Sequence, residues 1–206
     1  MNKMHKLFRQ PLYLKLYFME KLISFIRNKV ELPDEQLNSI CSKFKHQIIP
    51  KNRFVIQKGQ IVSHYYFIES GGFIIYAKEH GVQHTRYFAF ENEFIADIAR
   101  IKTHERSQEY IQTLEETSLY LISHEDMEAL YVQYPVWQTF GRLVWEESFC
   151  NVLKSIHQFQ TLTAKERYLE LVKRSNLINR VPLKDLSLFL GITPSSLSRI
   201  RKEITL

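Results

Sequence analysis

The spacing of apolar residues changes period twice along the chain, and few architectures accommodate that. Leu22, Phe25 and Ile26 recur at i, i+3, i+4, and Leu37, Ile40, Cys41 and Phe44 repeat the pattern after Pro33, so residues 19–46 read as two helices. From about residue 46 to residue 123 the period drops to two. Segments 53–57, 65–69, 73–78, 85–90, 110–114 and 119–122 are rich in Phe, Tyr, Ile and Val. They are separated by turn chemistry, most clearly at Gly71-Gly72 and at a hairpin tip, Glu79-His80-Gly81. After residue 125 the helical period returns. Many short strands flanked by helices imply an α+β chain with a sandwich, roll or barrel in its middle.

Residues 135–160 predict a helix of about seven turns, opened by Pro135. Val136, Phe140, Leu143, Val144, Val152, Ile156 and Phe159 recur on one side, and Trp137, Trp145, Phe149 and Leu153 widen the apolar face. So broad a face calls for two packing surfaces, the chain's own strands and a symmetry-related helix. Phe140, Val144, Val152, Ile156 and Phe159 are the expected homodimer contacts; a buried helix of a monomer is the alternative. Thr163 and Glu166 then make a capping box that opens the next helix.

The segment LKDLSLFLGITPSSLSRIRKEI, residues 183–204, reads as two short helices at an angle. Leu183, Leu186 and Leu190 share a face, Gly191 turns the chain, Thr193 caps the second helix and Pro194 occupies its first position. Leu197 and Ile200 face inward. The outer face carries hydrogen-bonding and cationic groups, which suits a helix read into the DNA major groove. Ser195, Ser196 and Arg199 are the expected base-reading residues; Lys184, Thr193, Arg201 and Lys202 are the expected phosphate contacts.

Charge is distributed to match. The last 46 residues carry 9 Lys and Arg against 4 Asp and Glu, while residues 19–160 carry 15 against 18. Residues 1–18 are basic and aromatic, with no run near the roughly 20 apolar residues of a membrane span. They read as an extension, and the chain as cytoplasmic with no membrane partner. Cys41 and Cys150 make no disulfide framework and cannot supply a four-cysteine iron–sulfur site.

GITPSSLSRIRKEI resembles the recognition segment of Crp/Fnr (catabolite-activator-like) transcription regulators, and FIESGGFIIYAKEHG resembles their β-roll. The resemblance covers about residues 19–206. It implies a β-roll sensor of the cyclic-nucleotide-binding type over residues 19–134, a dimerisation helix over 135–160 and a winged-helix-like helix-turn-helix domain over 161–206. Any wing must come from about residues 176–181 or be absent. Implied partners are double-stranded DNA, a second copy of the chain, RNA polymerase and a small-molecule effector, with no cofactor and no catalytic residues.

Relatives that bind a cyclic nucleotide place Gly-Glu before a short helix and Arg-Ser about ten residues later. Here Ala96-Asp97 falls on the first pair and Ser107-Gln108 on the second; a one-residue slip would bring Arg106-Ser107 into register. Phe94, Ala96, Asp97, Arg106, Ser107 and Gln108 are therefore the candidate effector-pocket residues. Loss of the phosphate-binding charge implies an effector other than cyclic AMP. Two rival readings are a small-molecule or cyclic-nucleotide sensor with weak or no DNA binding and a cupin-like metal protein using His64, His80, His84 or His104. The absence of a His-x-His pair disfavours the second.

Overall fold

A computed structural model describes residues 19–173 and 177–205; residues 1–18, and with them the expected extension, lie outside the described residues. Two helices, α1 (Glu20–Arg27) and α2 (Asp34–Ser42), precede eight strands: β1 (Lys45–Ile49), β2 (Phe54–Ile56), β3 (His64–Ser70), β4 (Phe73–Glu79), β5 (Val82–Ala89), β6 (Phe94–Ile95), β7 (Glu109–Thr113) and β8 (Thr117–Ser123). A short helix, α3 (Ile98–Thr103), separates β6 from β7. Helices α4 (His124–Gln133), α5 (Pro135–Thr161), α6 (Ala164–Lys173), α7 (Leu177–Arg180), α8 (Leu183–Leu190) and α9 (Pro194–Thr205) complete the chain.

The strands form two four-stranded antiparallel sheets, ordered β1-β8-β3-β6 and β2-β7-β4-β5. Together with the helices they make the expected α+β roll. Two strands had no sequence signal. β1 is an edge strand with four of five residues exposed, so no buried face imposes alternation on Lys45, His46 and Gln47. β6 is only two residues long.

A first core fills the roll and the layer under α1, α2 and the start of α5. Phe25 of α1 meets Phe67, Phe94 and Phe140 at ring separations of 5.3, 5.8 and 6.0 Å. Trp137, fully buried, stacks on Phe140 at 4.3 Å. Gly141 lets α5 approach α4 closely: a Cβ there would stand 2.5 Å from the Tyr131 hydroxyl. The first half of α5 is thus committed to its own roll. The expectation that Phe140 and Val144 are dimer contacts is corrected accordingly, because they are 3% and 7% exposed inside the chain's own core. The second half of the same helix leaves Phe149, Val152, Leu153, Ile156 and Phe159 44–63% exposed.

A second core joins the roll to the C-terminal helices. Ile74, Tyr76, Phe88 and Leu114, from the outer side of the β4–β5–β7 sheet, pack with Tyr168, Leu171, Leu177, Val181, Leu186, Leu190 and Leu197. The segment read as a linker before Pro182 includes helix α7, so among the described residues no wing strand arises from 177–181. Among the described residues no helix is long and apolar enough to cross a membrane.

Candidate nucleic-acid interface and effector pocket

The C-terminal helix pair is fixed by local chemistry. Leu186 and Leu190 of α8 are fully buried, and Ser187, also fully buried, bonds back to the Lys184 carbonyl at 2.8 Å. The helix stops at Gly191, whose φ of 69° lies in the left-handed region that favours glycine. The Gly191 N–H donates to the Leu188 carbonyl at 3.2 Å and the Ile192 N–H to the Ser187 carbonyl at 3.0 Å. Those two bonds form a Schellman motif and satisfy carbonyls that a helix end leaves open. Two residues later the Thr193 hydroxyl accepts from the Ser196 N–H at 3.2 Å and shares its remaining capacity with the Ser195 and Ser196 hydroxyls, each at 2.9 Å. The cap sets the angle at which α9 leaves the turn.

Leu197 anchors α9 in the second core. Ser195, Arg199 and Lys202 are exposed along the opposite side, spanning about 10 Å at 1.5 Å per residue. Lys184 and Thr193 are exposed beside them, and Ser196 is half-buried at the cap. Arg201 departs from its expected role. Its guanidinium turns inward, donating to the Ile178 carbonyl at 3.4 Å and lying 5.8 Å from the centre of the Tyr168 ring. A side chain engaged there is not presented to a phosphate.

The roll holds a cavity of about 360 Å³, within the range of small-molecule sites. Asp97 borders it, 7% exposed, as the N-cap of α3. Its carboxylate accepts from the Ser107 hydroxyl at 2.7 Å and weakly from the Arg100 N–H at 3.4 Å. Ser107 is fully buried and also accepts from the Glu109 N–H at 3.0 Å, which fixes its hydroxyl toward Asp97. Gln108 lines the cavity as well.

The other three expected residues do not join them. Phe94 is packed among the aromatic rings of the first core and Ala96 packs against that core. Arg106 donates to the Gly59 carbonyl at 2.7 Å and borders a separate, open hollow with Val55, Ile61 and Tyr66. The slipped register is thereby excluded: Ser107, not Arg106, faces Asp97.

Sequence reasoning missed Lys58, Lys78, Arg86, Arg100 and Glu109, which all line the cavity. Alternation along β7 could have flagged Glu109, which shares a face with the buried Ile111, whereas Arg86 sits at a register shift of β5 that alternation does not reveal. Arg86 bonds Glu109 at 2.7 Å, and Arg100 pairs with Glu105. Burial pushes the Glu109 carboxyl up, against the pull of Arg86. Lys78 lies 5.7 and 5.3 Å from the stacked rings of Tyr76 and Tyr110. Arg86 and Arg100, two of the cations at the cavity, are thus paired to carboxylates of the chain itself.

The four histidines weighed for a metal are dispersed. His80 and His104 occupy turns at φ 51° and 55°, and the His64 imidazole is held low by burial. Among the described residues no three His, Cys, Asp or Glu side chains stand close enough to hold a metal ion.

Residues 46–134 match the family model of the cyclic nucleotide-binding domain. No curated protein sequence matches the chain. Solved structures do. One is the c-di-GMP responsive global regulator CLP of Xanthomonas campestris, at 15% identity and a TM-score of 0.63, covering 84% of this chain and 92% of that one. A second is FixK2 from Bradyrhizobium japonicum, at 13% identity and 0.62, covering 79% and 84%. A third is a CooA mutant from Carboxydothermus hydrogenoformans, at 14% identity and 0.63, covering 87% and 82%. At such identities the likeness is one of fold. Residues 46–134 thus match the cyclic nucleotide-binding domain family, and the chain shares the fold of these three solved structures.

Proposed function

We propose that the chain is a non-enzymatic, sequence-specific DNA-binding transcription regulator. It acts as a homodimer on a near-palindromic operator, with its output set by a small-molecule effector other than cyclic AMP. The observation that carries this reading is the division of α9: Leu197 is fully buried while Ser195, Arg199 and Lys202 are exposed on the opposite face of a capped helix. A solvated surface helix needs no such cap, angle and cationic face together. Arg199 is positioned to read a base pair, and Lys184, Thr193 and Lys202 to hold phosphates. The exposed apolar half of α5 supports dimerisation through Val152, Ile156 and Phe159. In such a dimer, operator half-sites lie about 34 Å apart, one helical turn. RNA polymerase is the downstream partner this role implies.

The effector reading rests on the cavity. Ala96 and Ser107 stand where a cyclic-nucleotide site wants a bare backbone and a cation, and Asp97 is engaged by Ser107. The test is selection of bound sequences from random duplex DNA at low salt, where phosphate contacts are strongest, together with the protein's mass in solution. A palindromic consensus and a dimeric mass are expected. No enrichment at low salt, or a monomer at high concentration, overturns the reading.

A further inference from the structure

The second core is sealed at one end by a single guanidinium. Arg180, the last residue of α7, donates from Nη1 to Glu91 Oε2 at 2.9 Å and from Nη2 to Glu91 Oε1 at 2.8 Å. Nε donates to Glu115 at 2.8 Å, with a further short bond to the same carboxylate from Nη2. Nη2 also donates to the Gly71 carbonyl at 2.8 Å, and the guanidinium lies 4.4 Å from the centre of the Phe90 ring. Gly71 belongs to the β3–β4 turn, Glu91 to the β5–β6 turn and Glu115 to the β7–β8 turn. One side chain thus gathers three turns at one end of the roll. Glu91 is bound in turn, since its Oε1 accepts from the Gly71 N–H at 2.9 Å.

Two features tie this cluster to both functional ends of the molecule. On the C-terminal side only Val181 and Pro182 separate Arg180 from α8, whose Asp185 accepts from Gln83 of β5 at 3.0 Å. Phe189 of α8 meets Phe88 of β5 at 5.3 Å. On the other side only five residues, through β6, separate Glu91 from Asp97 at the cavity.

We propose that Arg180 is a positioning residue: it latches the helix pair α8–α9 to the turn end of the roll, and the segment from Glu91 to Asp97 transmits changes in the cavity to that latch. A ligand that takes Asp97 from Ser107 pulls on β6, shifts the β5–β6 turn and loosens the grip on α7. The route is separate from α5 and operates within one protomer. Its docking part is independent of DNA; its consequence for DNA rests on the function proposed above.

The experiment uses the full chain with Arg180→Ala, Arg180→Lys and Asp97→Ala, read by site-resolved amide hydrogen exchange and by binding to the selected operator. Arg180→Ala speeds exchange at least tenfold in the β3–β4 turn and in residues 177–190, leaving α1 and β3 unchanged. Arg180→Lys behaves likewise, because one ammonium cannot span three turns in the geometry of the fork. Asp97→Ala, at the far end of the segment, speeds exchange in residues 177–180. Operator affinity changes several-fold in the Arg180 variants while the preferred sequence stays the same. Unchanged exchange in residues 177–190, or exchange raised equally in both cores, overturns the latch. Silence at 177–180 in Asp97→Ala overturns the transmission, and altered exchange with unaltered operator affinity overturns the coupling to DNA. If no form of the protein binds DNA while exchange changes as stated, the proposed function fails and the latch stands.

Discussion

The two halves of α5 should fail in different ways when truncated, and Ile156→Ala is the decisive substitution. Ile156 is 48% exposed in the protomer. Burying a whole isoleucine stabilises by about 1.5–3 kcal/mol, so covering the open half in a dimer contributes ~1 kcal/mol per protomer. Both protomers lose it, which gives ~2 kcal/mol per dimer, or a ~30-fold weaker dimer dissociation constant. Because the side chain lies outside either core, the unfolding midpoint of the protomer should hardly move. Phe140→Ala, in the first half of the same helix and 3% exposed, should do the reverse. It costs about 3–5 kcal/mol of folding stability through a cavity beside Trp137, with no dimer-specific effect. Sedimentation equilibrium over a wide concentration range gives the first quantity and denaturant unfolding the second. A dimer constant for Ile156→Ala within threefold of the parent would refute the assignment of this face.

Other substitutions test other parts. Arg199→Ala should relax sequence preference at one operator position by about 1–3 kcal/mol, whereas Lys202→Ala should weaken all duplexes alike and reduce the salt slope by about one. Equal losses on every sequence for both would count against these roles. Gly191→Ala meets no atom within 4 Å, so its cost should be only that of a left-handed backbone, about 1–2 kcal/mol in denaturant unfolding; a much larger loss would mean that packing, not φ, requires the glycine. Burial, with Tyr131 and Glu128 nearby, pushes the Tyr65 phenol up to about 12. The folded form therefore keeps a proton that the unfolded chain releases near pH ~10, so this contribution is full below that pH and is lost as pH rises through 12. Tyr65→Phe should flatten the alkaline decline in thermal stability, and an unchanged slope would show another group responsible. Burial raises Glu91, but hydrogen bonds from Arg180 and from backbone N–H groups outweigh it and hold the carboxyl below its usual range. The docking contact should then persist from neutral pH down through the ordinary glutamate range, about 4.3, and be lost only in stronger acid; exchange in residues 177–180 that rises already at pH 5 would contradict this.

What the sequence made legible was whatever is enforced locally. The capping box appears as written, with the Thr163 N–H donating to Glu166 at 2.8 Å, and Pro135 opens a helix that ends one residue beyond the expected 160. Gly191 and Thr193 fixed the turn of the helix pair because each satisfies backbone groups that no distant residue could serve. Less legible were features set by partners far along the chain. β1 opens with three polar residues, Lys45, His46 and Gln47, and pairing with β8 is what makes it a strand. The second core had a signal that period-two reading hides. β4, FIIYAKE, is buried or half-buried on both faces through Ala77, and such a continuous apolar run marks a strand covered on two sides. Arg201 looked like its neighbours Arg199 and Lys202, and only the position of Tyr168 and the Ile178 carbonyl distinguishes it. The cavity charges come from the β2–β3 and β6–α3 connections, β4, β5, β7 and α3, so no short motif could announce them.

The shared core also governs how the molecule can be divided. Ile74, Tyr76, Phe88 and Leu114 are 4–6% exposed only because α6–α9 lie over them. A fragment ending at residue 161 would turn that patch of two aromatics and two aliphatics toward water on the outer side of a sheet, an invitation to self-association. Helices α6–α9, released together, would in turn lose four of the eleven buried residues in their core. The roll and the C-terminal helices are distinct in sequence and in chemistry, yet physically they form one indivisible piece of material, and any engineered swap of the C-terminal helices must carry the matching face of the β4–β5–β7 sheet with it.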